Sequence, residues 1–222
     1  AMLLTREFTD NEYLMMVTRN GTVKRLQLDE AYTARKAGIR VLNLDEGDEL
    51  ISVMKTTGDD NILIATRNGM SICFSEQDVR CMGRMATGVR GIRLSDDDCV
   101  VAAAVAEPGK CLLTVTERGY GKRTQIEEYL RGDSVQSRGG KGMRGYRLTE
   151  KTGLVAGAAV VSEEDDILLI ESGGVVIRMP ASGVSVYRRD TQGVIMMRIE
   201  DGNRVIAVQR TEASEDEEQT AE

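Results

Sequence analysis

The feature that most constrains the fold is an internal repeat of about 50 residues, which occurs four times along the 222-residue chain. Each copy begins with an apolar run, a polar turn that ends in glycine, and a second alternating run. Such a pair of runs around Asn-Gly or Gly-Gly is typical of a β-hairpin, because these residues tolerate positive φ. The turn glycines are spaced 48, 50 and 55 residues apart: Gly21, Gly69, Gly119 and Gly174.

The second half of each unit carries its own glycine landmark, followed by a short strand, an acidic turn and a β-branched strand. These glycines are Gly38, Gly88, Gly142 and Gly193. About four strands in about 50 residues match the size of one propeller blade. We therefore predict an all-β fold, a β-pinwheel or propeller-like disc of about four-stranded blades, with four blades and a partial one. A closed ring and an open spiral both fit this pattern.

The repeat also sets the predicted boundaries. Residues 2–11 precede the first unit as residues 52–61 precede the second. We therefore expect residues 1–11 to end a preceding blade and the chain to be part of a longer protein. The four blades are predicted at 12–60, 61–109, 110–165 and 166–210. Residues 211–222 are predicted to be an acidic, disordered tail.

Charge and composition exclude several functions. The chain has 29 Lys+Arg, 36 Asp+Glu, a formal net charge of −7 and no histidine, and six of the acids lie in residues 212–222. Without histidine, a His-based catalytic triad, a Cys/His zinc site and a 2-His-carboxylate iron site are impossible within the chain. We predict no catalytic residue, metal ligand or cofactor in this chain.

No apolar run approaches a membrane span, and no secretory leader is evident, so we expect no membrane partner and a cytoplasmic location.

Basic residues concentrate in the connection between the second and third strands of each unit. Four windows, at 35–40, 80–93, 131–147 and 188–198, contain 15 of the 29 basic residues and only two acids, Asp133 and Asp190. The basic residues are Arg35, Lys36, Arg40, Arg80, Arg84, Arg90, Arg93, Arg131, Arg138, Lys141, Arg144, Arg147, Arg188, Arg189 and Arg198. A second recurring basic position follows the hairpin turn: Lys24, Arg25, Lys122, Arg123 and Arg178.

Equivalent positions in successive blades lie on the same side of a propeller, so these windows predict one continuous positive band. A curved basic band suits the backbone of duplex DNA, read by charge and bending. Single strands are a poorer partner, because the chain has only eight aromatic residues for base stacking.

The segment Gln136-Ser137-Arg138-Gly139-Gly140-Lys141-Gly142 is the most distinctive stretch. It fails as a P-loop, since Val135 stands where glycine is required and Gly142 stands where Ser or Thr is required. Its partial match to a dinucleotide-binding pattern needs a helix that the sequence does not predict. Glycines that allow close approach to phosphate, with charge from Arg138 and Lys141, indicate a DNA contact that includes Gln136, Gly139, Gly140 and Gly142. A flexible turn is the structural alternative.

This segment resembles the glycine-rich box QRRGGKG of the C-terminal domain of the bacterial DNA gyrase A subunit, with Ser137 in place of an arginine. The box is typically in that family's first blade, whereas here it falls in the third unit. Other stretches are similar to the family's repeat landmarks, namely NGTVKR at 20–25, TGVRGIRL at 87–94, GYGKR at 119–123 and TQGVI at 191–195. The acidic C-terminal end resembles the tail of many members.

The resemblance implies a six-bladed β-pinwheel with strands exchanged between neighbouring blades, whose basic rim wraps duplex DNA so that ATP-dependent strand passage introduces negative supercoils. It also implies an A2B2 holoenzyme, in which ATP and Mg act on the gyrase B subunit or other domains, and the DNA-cleaving tyrosine lies in the N-terminal part of the gyrase A subunit. This chain would carry no catalytic site and would act at the bacterial nucleoid. The alternatives are the equivalent domain of topoisomerase IV and a propeller that serves as a protein-interaction scaffold.

Overall fold

The structure is a computed structural model that describes residues 2–5, 11–33, 37–132 and 134–212. Within these ranges the chain forms β-strands joined by turns and four short 3₁₀ segments, with no α-helix. The 3₁₀ segments are Asp29–Ala31, Glu76–Asp78, Ile126–Tyr129 and Ala181–Gly183. The strands are β1 (Tyr13–Thr18), β2 (Thr22–Gln27), β3 (Leu50–Thr56), β4 (Asn61–Thr66), β5 (Met70–Ser75), β6 (Val89–Arg90), β7 (Val100–Val105), β8 (Cys111–Thr116), β9 (Tyr120–Gln125), β10 (Met143–Arg144), β11 (Val155–Val161), β12 (Asp165–Glu171), β13 (Val176–Pro180), β14 (Val194–Ile195) and β15 (Val205–Glu212).

The strands form four antiparallel sheets, one for each sequence repeat. Their orders are β3-β1-β2-β6, β7-β4-β5-β10, β11-β8-β9-β14 and β15-β12-β13. In the first three sheets the outermost strand comes from the following repeat, so neighbouring blades exchange a short strand. The prediction of an all-β pinwheel with four blades is confirmed, and the exchange implied by the family resemblance is present.

The glycine landmarks are the positions where the backbone needs positive φ. All eight predicted glycines have φ between 69° and 118°, a region that other residues enter only with strain. At Gly88, a Cβ atom would lie 2.6 Å from the carbonyl oxygen of Val23 in the preceding blade. A Cβ at Gly142 would overlap the carbonyl oxygen of Ser71. These glycines therefore let each exchanged strand lie directly against the previous blade.

The hydrophobic core lies between the blades. Met15 and Val17 of β1 pack in one cluster with Ile64, Ile72 and Phe74 of the second blade, and all five are fully buried. Burial of an aliphatic or aromatic side chain of this size contributes about 1.5–3 kcal/mol, which makes the contact between blades a main source of stability. Because each central blade is covered on both faces, its strands are buried almost throughout rather than on alternate residues.

The blades follow one another in the order of the sequence repeats. The innermost strands pack in series, β3 on β7, β7 on β11 and β11 on β15, and β3 and β15 are not among the extensively packed pairs. The outer edge of β13 carries no exchanged strand among the described residues. Among the described residues, no exchanged strand therefore links the fourth blade to the first.

The predicted boundaries at the two ends of the chain are only partly described. Residues 2–5 have no regular secondary structure, and most of the rest of the segment predicted to end a preceding blade lies outside the described residues. Strand β15 runs to Glu212, so Thr211 and Glu212 belong to the last sheet and not to the predicted tail. The remainder of that tail, 213–222, also lies outside the described residues. Across the described part of the chain, no helix is long and apolar enough to cross a membrane.

Candidate nucleic-acid interface

The second, third and fourth basic windows lie on the outer edge of the disc because they surround the exchanged strands. Arg90 in β6 and Arg144 in β10 are exposed and occupy the same position in successive blades, two residues after the landmark glycine. Arg40 is the exposed equivalent in the first unit, and Ile195 in β14 is the equivalent in the fourth. Three arginines and one isoleucine therefore form a row along the rim.

Direct hydrogen bonds join the second basic window to the third. The Arg138 guanidinium donates to the backbone carbonyl oxygen of Arg90. The N–H of Gly139 donates to the oxygen of Gly91 at 2.7 Å, and the N–H of Arg93 donates to the oxygen of Gly140 at 2.8 Å. The glycine-rich box therefore lies against the segment that carries Arg90 and Arg93.

The same relationship recurs between the third and fourth windows. Arg189 donates from Nη1 to the carbonyl oxygen of Arg144 at 2.9 Å, and the N–H of Arg147 donates to the oxygen of Thr191 at 3.1 Å. Between the first and second units, Asn43, which lies three residues beyond the first window, donates from Nδ2 to the oxygen of Met85 in the second window at 2.6 Å. The second, third and fourth basic windows are thus contiguous along the rim.

Most of the basic side chains of this band form no ion pair with a described residue. Within the described ranges, the exposed residues of the windows without an ion pair are Arg40, Arg80, Arg84, Arg90, Arg93, Arg131, Lys141, Arg188 and Arg198. The exception is Asp190, which lies 3.5 Å from both Arg144 and Arg147. Desolvation opposes ionisation of this carboxyl, but hydrogen bonds and charge from Arg147 and Arg144 outweigh it and lower its pKa. Because a single carboxylate neutralises only part of the band, the net charge of the rim stays positive.

The glycine-rich box combines buried and exposed parts. Its first residue, Gln136, is buried, and its backbone N–H donates to the oxygen of Cys73 at 2.8 Å. Arg138 is half-buried, and its Nε donates to the oxygen of Asp78 at 3.0 Å. Gly140 and Lys141 are exposed. The prediction that Gln136 contacts DNA is therefore wrong, since its side chain faces the interior, whereas Lys141 is placed to meet a phosphate.

The second recurring basic position is also not a DNA contact. Lys24 and Lys122 are fully buried, and Arg123 is 4% exposed with its Nε 2.7 Å from the oxygen of Val184. Arg25 lies 4.7 Å from the ring of Tyr13 and 3.6 Å from the buried carboxylate of Glu76. The predicted DNA contacts at Lys24, Lys122 and Arg123 are wrong, because the loops of the next unit cover these side chains. Only 13% of the Arg25 side chain is exposed, which disfavours a DNA contact there as well.

Further basic residues lie beside the predicted contacts. Arg147 and Arg198, which belong to the third and fourth windows, are exposed equivalents of Arg93, each five residues after its landmark glycine. Arg178 is exposed on β13 but bonded to Asp166 at 2.7 Å. The predicted contacts Arg35 and Lys36 lie outside the described residues.

Taken together, the exchanged strands and the contiguous arginines define a β-pinwheel domain with a basic outer edge. A family described as DNA gyrase C-terminal domain, beta-propeller, matches the chain over residues 12–57, 60–107, 112–162 and 165–212. The chain belongs to this family. Each matched segment contains the inner strands of one blade, so the family's repeat and the sheets of the structure agree.

Individual relatives support the same assignment. The DNA gyrase A subunit of Klebsiella oxytoca is 42% identical over 219 residues, which make up 99% of this chain and 24% of that protein. A solved structure of a DNA gyrase A C-terminal domain superimposes with a TM-score of 0.81 and 28% identity over 93% of this chain and 68% of that one. A solved structure of the C-terminal domain of DNA topoisomerase IV superimposes with a TM-score of 0.85 and 25% identity, over 94% of this chain and 64% of that one. The chain thus spans about a quarter of the curated relative's length.

Proposed function

We propose that this chain is a module that binds duplex DNA and bends it around its basic rim. The observation that carries the proposal is the hydrogen-bonded series of rim connections, in which Arg138 binds the carbonyl of Arg90 and Arg189 binds that of Arg144. Because each connection lies directly against the next, the positive side chains follow one curved path. A duplex that lies along this path can neutralise its phosphates without any base-specific contact.

The charge distribution explains how an acidic chain can bind a polyanion. The formal net charge is −7, but the field that a phosphate meets depends on the nearest charges, since screening shortens the reach of more distant ones to about 8 Å at physiological salt. Smooth bending of a 20–30 base-pair site costs about 1–6 kcal/mol, so a rim must supply several phosphate contacts to offset it. The unpaired arginines in three successive units provide such contacts.

In the longer protein, we propose that this module acts with the remainder of the gyrase A subunit and with the gyrase B subunit in an A2B2 enzyme. DNA wrapped on the rim would be presented to the strand-passage machinery, so that ATP-dependent passage introduces negative supercoils. The ATP, the Mg and the DNA-cleaving tyrosine would belong to the other domains and subunits. This role also implies a bacterial cytoplasmic location at the nucleoid.

The second candidate is the equivalent role in topoisomerase IV, which the fold similarity to that enzyme's C-terminal domain favours. The glycine-rich box and the 42% identity to a gyrase A subunit favour gyrase. The two are separated by adding the chain to a gyrase core that lacks its own C-terminal domains. Recovery of ATP-dependent negative supercoiling supports the gyrase role, whereas relaxation without supercoiling supports the topoisomerase IV role.

DNA bending itself can be measured with a linear duplex that carries a donor and an acceptor dye at its two ends. We expect the chain to bring the ends together and raise energy transfer, and this increase should be lost when Arg90 and Arg144 are both replaced by alanine. A protein-interaction scaffold predicts no change in energy transfer at any chain concentration.

A further inference from the structure

Two buried lysines occupy the same place in different blades. Lys24 in β2 and Lys122 in β9 are each the third residue after a turn glycine, and both side chains are fully buried. Each lies under the loop that leads into the exchanged strand of the following unit. An ammonium group in the interior is costly unless its hydrogen bonds are satisfied, so each of these two groups needs acceptors close by.

The Lys122 ammonium is bonded to the rim loop of the fourth unit. Its Nζ donates to the carbonyl oxygen of Arg188 at 2.8 Å, to that of Arg189, and to Thr191 Oγ1 at 3.2 Å. The ammonium also lies 5.0 Å from the centre of the Tyr146 ring, which adds a cation–π contact. Three donors therefore meet three acceptors, which is the full capacity of a lysine side chain.

The Lys24 ammonium makes an equivalent set of bonds in the first blade. Its Nζ donates to the carbonyl oxygens of Val41, Arg84 and Ala86 at 2.7, 2.8 and 2.9 Å. In both blades the lysine binds backbone oxygens of residues that carry exposed or half-exposed arginine side chains, Arg84 in one and Arg188 and Arg189 in the other. The carbonyls face the ammonium, while the side chains of Arg84 and Arg188 remain accessible on the rim.

The second blade differs at this position. Ile72 stands where the lysines stand in the first and third blades, and it packs in the hydrophobic core beneath the glycine-rich box. The box is held from the rim side instead, by Arg138 and by the backbone bonds of Gly139 and Gly140. The described chain therefore has two rim loops fixed by a buried ammonium, whereas the box is fixed by Arg138 and by backbone hydrogen bonds.

We propose that Lys24 and Lys122 are positioning residues of the DNA rim, which fix the loop backbones so that Arg84 and the Arg188–Arg189 pair are presented to phosphates. The inference rests on the proposed function of DNA binding. Neither lysine touches DNA, since both side chains are buried. Their contribution to DNA affinity therefore passes entirely through the arginines of the loops that they hold.

A double-mutant cycle on duplex DNA binding tests this inference. Lys122→Met keeps a side chain of similar length without the ammonium, and we expect it to weaken binding by on the order of tenfold and to reduce the log–log salt slope by about 2, the value for two lost phosphate contacts. The variant Arg188→Ala/Arg189→Ala should show a similar loss. Adding Lys122→Met to that variant should then cause little further loss, because the residues through which the lysine acts are gone. Lys55→Met, an exposed lysine on β3, is the matched control and should leave binding unchanged.

Additive losses in the cycle, or unchanged affinity in Lys122→Met, would overturn the proposal. Circular dichroism and urea unfolding check that each variant is folded, and the pair Lys24→Met with Arg84→Ala repeats the cycle in the first blade should Lys122→Met fail to fold. Amide hydrogen exchange without DNA gives an independent readout. We expect faster exchange at residues 187–191 in Lys122→Met, and unchanged exchange would contradict the role in holding the loop. If the wild-type chain binds no duplex, the proposed function fails, and the positioning role fails with it even if exchange shows that the lysine holds the loop.

Discussion

The guanidinium of Arg189 donates a hydrogen bond to the backbone carbonyl oxygen of Arg144, with a length of 2.9 Å. These two residues belong to different sequence repeats, and Arg138 and Arg90 have the same relationship one blade earlier. One arginine of each pair therefore fixes the strand that carries the other. This arrangement joins the basic segments of successive blades and gives the rim its continuity.

Replacing Arg90 by alanine should weaken duplex binding and make the log–log salt slope less negative by about 1, because one phosphate contact is lost. Arg90 is exposed at the centre of the band, on the outermost strand of its blade. Lys55→Ala is the control, since this lysine lies on the innermost strand β3 and pairs with Glu12 at 2.6 Å. Equal effects of the two substitutions in a fluorescence anisotropy titration would contradict a localised rim.

The two charged residues of the glycine-rich box should differ in their effect. Lys141→Ala removes one exposed charge, so we expect a reduction of the salt slope by about 1. Arg138→Ala should have a larger effect, because Arg138 also holds the backbone at Asp78 and Arg90. The same change at Lys110, which lies outside the basic windows, should have little effect on binding. If Lys110→Ala weakens duplex binding as much as the substitutions in the box do, a special role of the box is refuted.

The cysteines provide a chemical probe of the rim. Cys81 is exposed between Arg80 and Arg84, whereas Cys73 is buried and its burial raises the thiol pKa to about 12. We predict that maleimide modifies Cys81 readily and Cys73 very slowly, as the thiolate is the reactive form. Saturating duplex DNA should slow modification of Cys81 and leave the partly buried Cys99, which lies near the centre of the disc, unaffected. Mass spectrometry of tryptic peptides measures each rate, and unprotected Cys81 would argue against DNA on this part of the rim.

The exchange of strands should depend on Gly142. Gly142→Ala combines a positive φ of 74° with overlap between the new Cβ and the carbonyl of Ser71, so it should displace β10 from β5. Gly47→Ala is the matched control, because its φ is 77° and no atom lies within 4 Å of the new Cβ. We expect the control to lower the free energy of unfolding by about 1–2 kcal/mol through backbone strain alone, and Gly142→Ala to lower it further. Equal losses of unfolding free energy in the two variants would show that the close approach at Gly142 does not contribute to stability.

Lys122 should make the stability of the fold depend on pH. Burial lowers its pKa to about 7, and the charges of Asp190 and Glu128, which raise the pKa, only partly offset this. Arg189 and Arg147 lower it further. Between about pH 7 and the ordinary lysine value of 10.5, the unfolded chain binds the proton that the folded chain has released, so the free energy of unfolding rises with pH through this range.

The measurement is the urea midpoint at several pH values for the wild-type chain and for Lys122→Met. Titration of the other groups is common to both proteins, so the difference between the two curves isolates Lys122. We predict that the wild type gains stability relative to the variant as pH rises. Parallel curves would mean that the folded-state pKa of Lys122 is not lowered.

Glycine spacing carried most of the information about the fold. Positive φ has few alternatives to glycine, so the glycine landmarks mark the hairpin turn in all four units and the start of the exchanged strand in the last three. The partner of each short strand could not be derived from the residues alone, because Val89–Arg90 pairs with β2 of the preceding blade. Two-residue strands have too little periodicity to indicate a partner.

The position of the basic rim was predicted from the sequence, but two buried lysines were wrongly assigned as DNA contacts. The exposed windows follow from charge counts, but a lysine directly after a hairpin turn also looks exposed by sequence, and Lys24 and Lys122 are buried. Their carbonyl partners lie 17 to 67 residues away, so no local pattern reveals them. The sequence feature that could have indicated the burial of these lysines is the alignment of the repeats, in which isoleucines, Ile72 and Ile177, occupy the same position.

The central claim is that duplex DNA lies along the contiguous basic rim, and the most direct test is the salt dependence of binding to a linear duplex. Engagement of about six phosphates predicts a log–log slope of about −5 for the wild-type chain. A variant with alanine at Arg40, Arg90, Arg93 and Arg144 should have a slope that is less negative than the wild-type slope by about 4. A flat response of the wild-type chain, or equal slopes for the two proteins, would contradict the account.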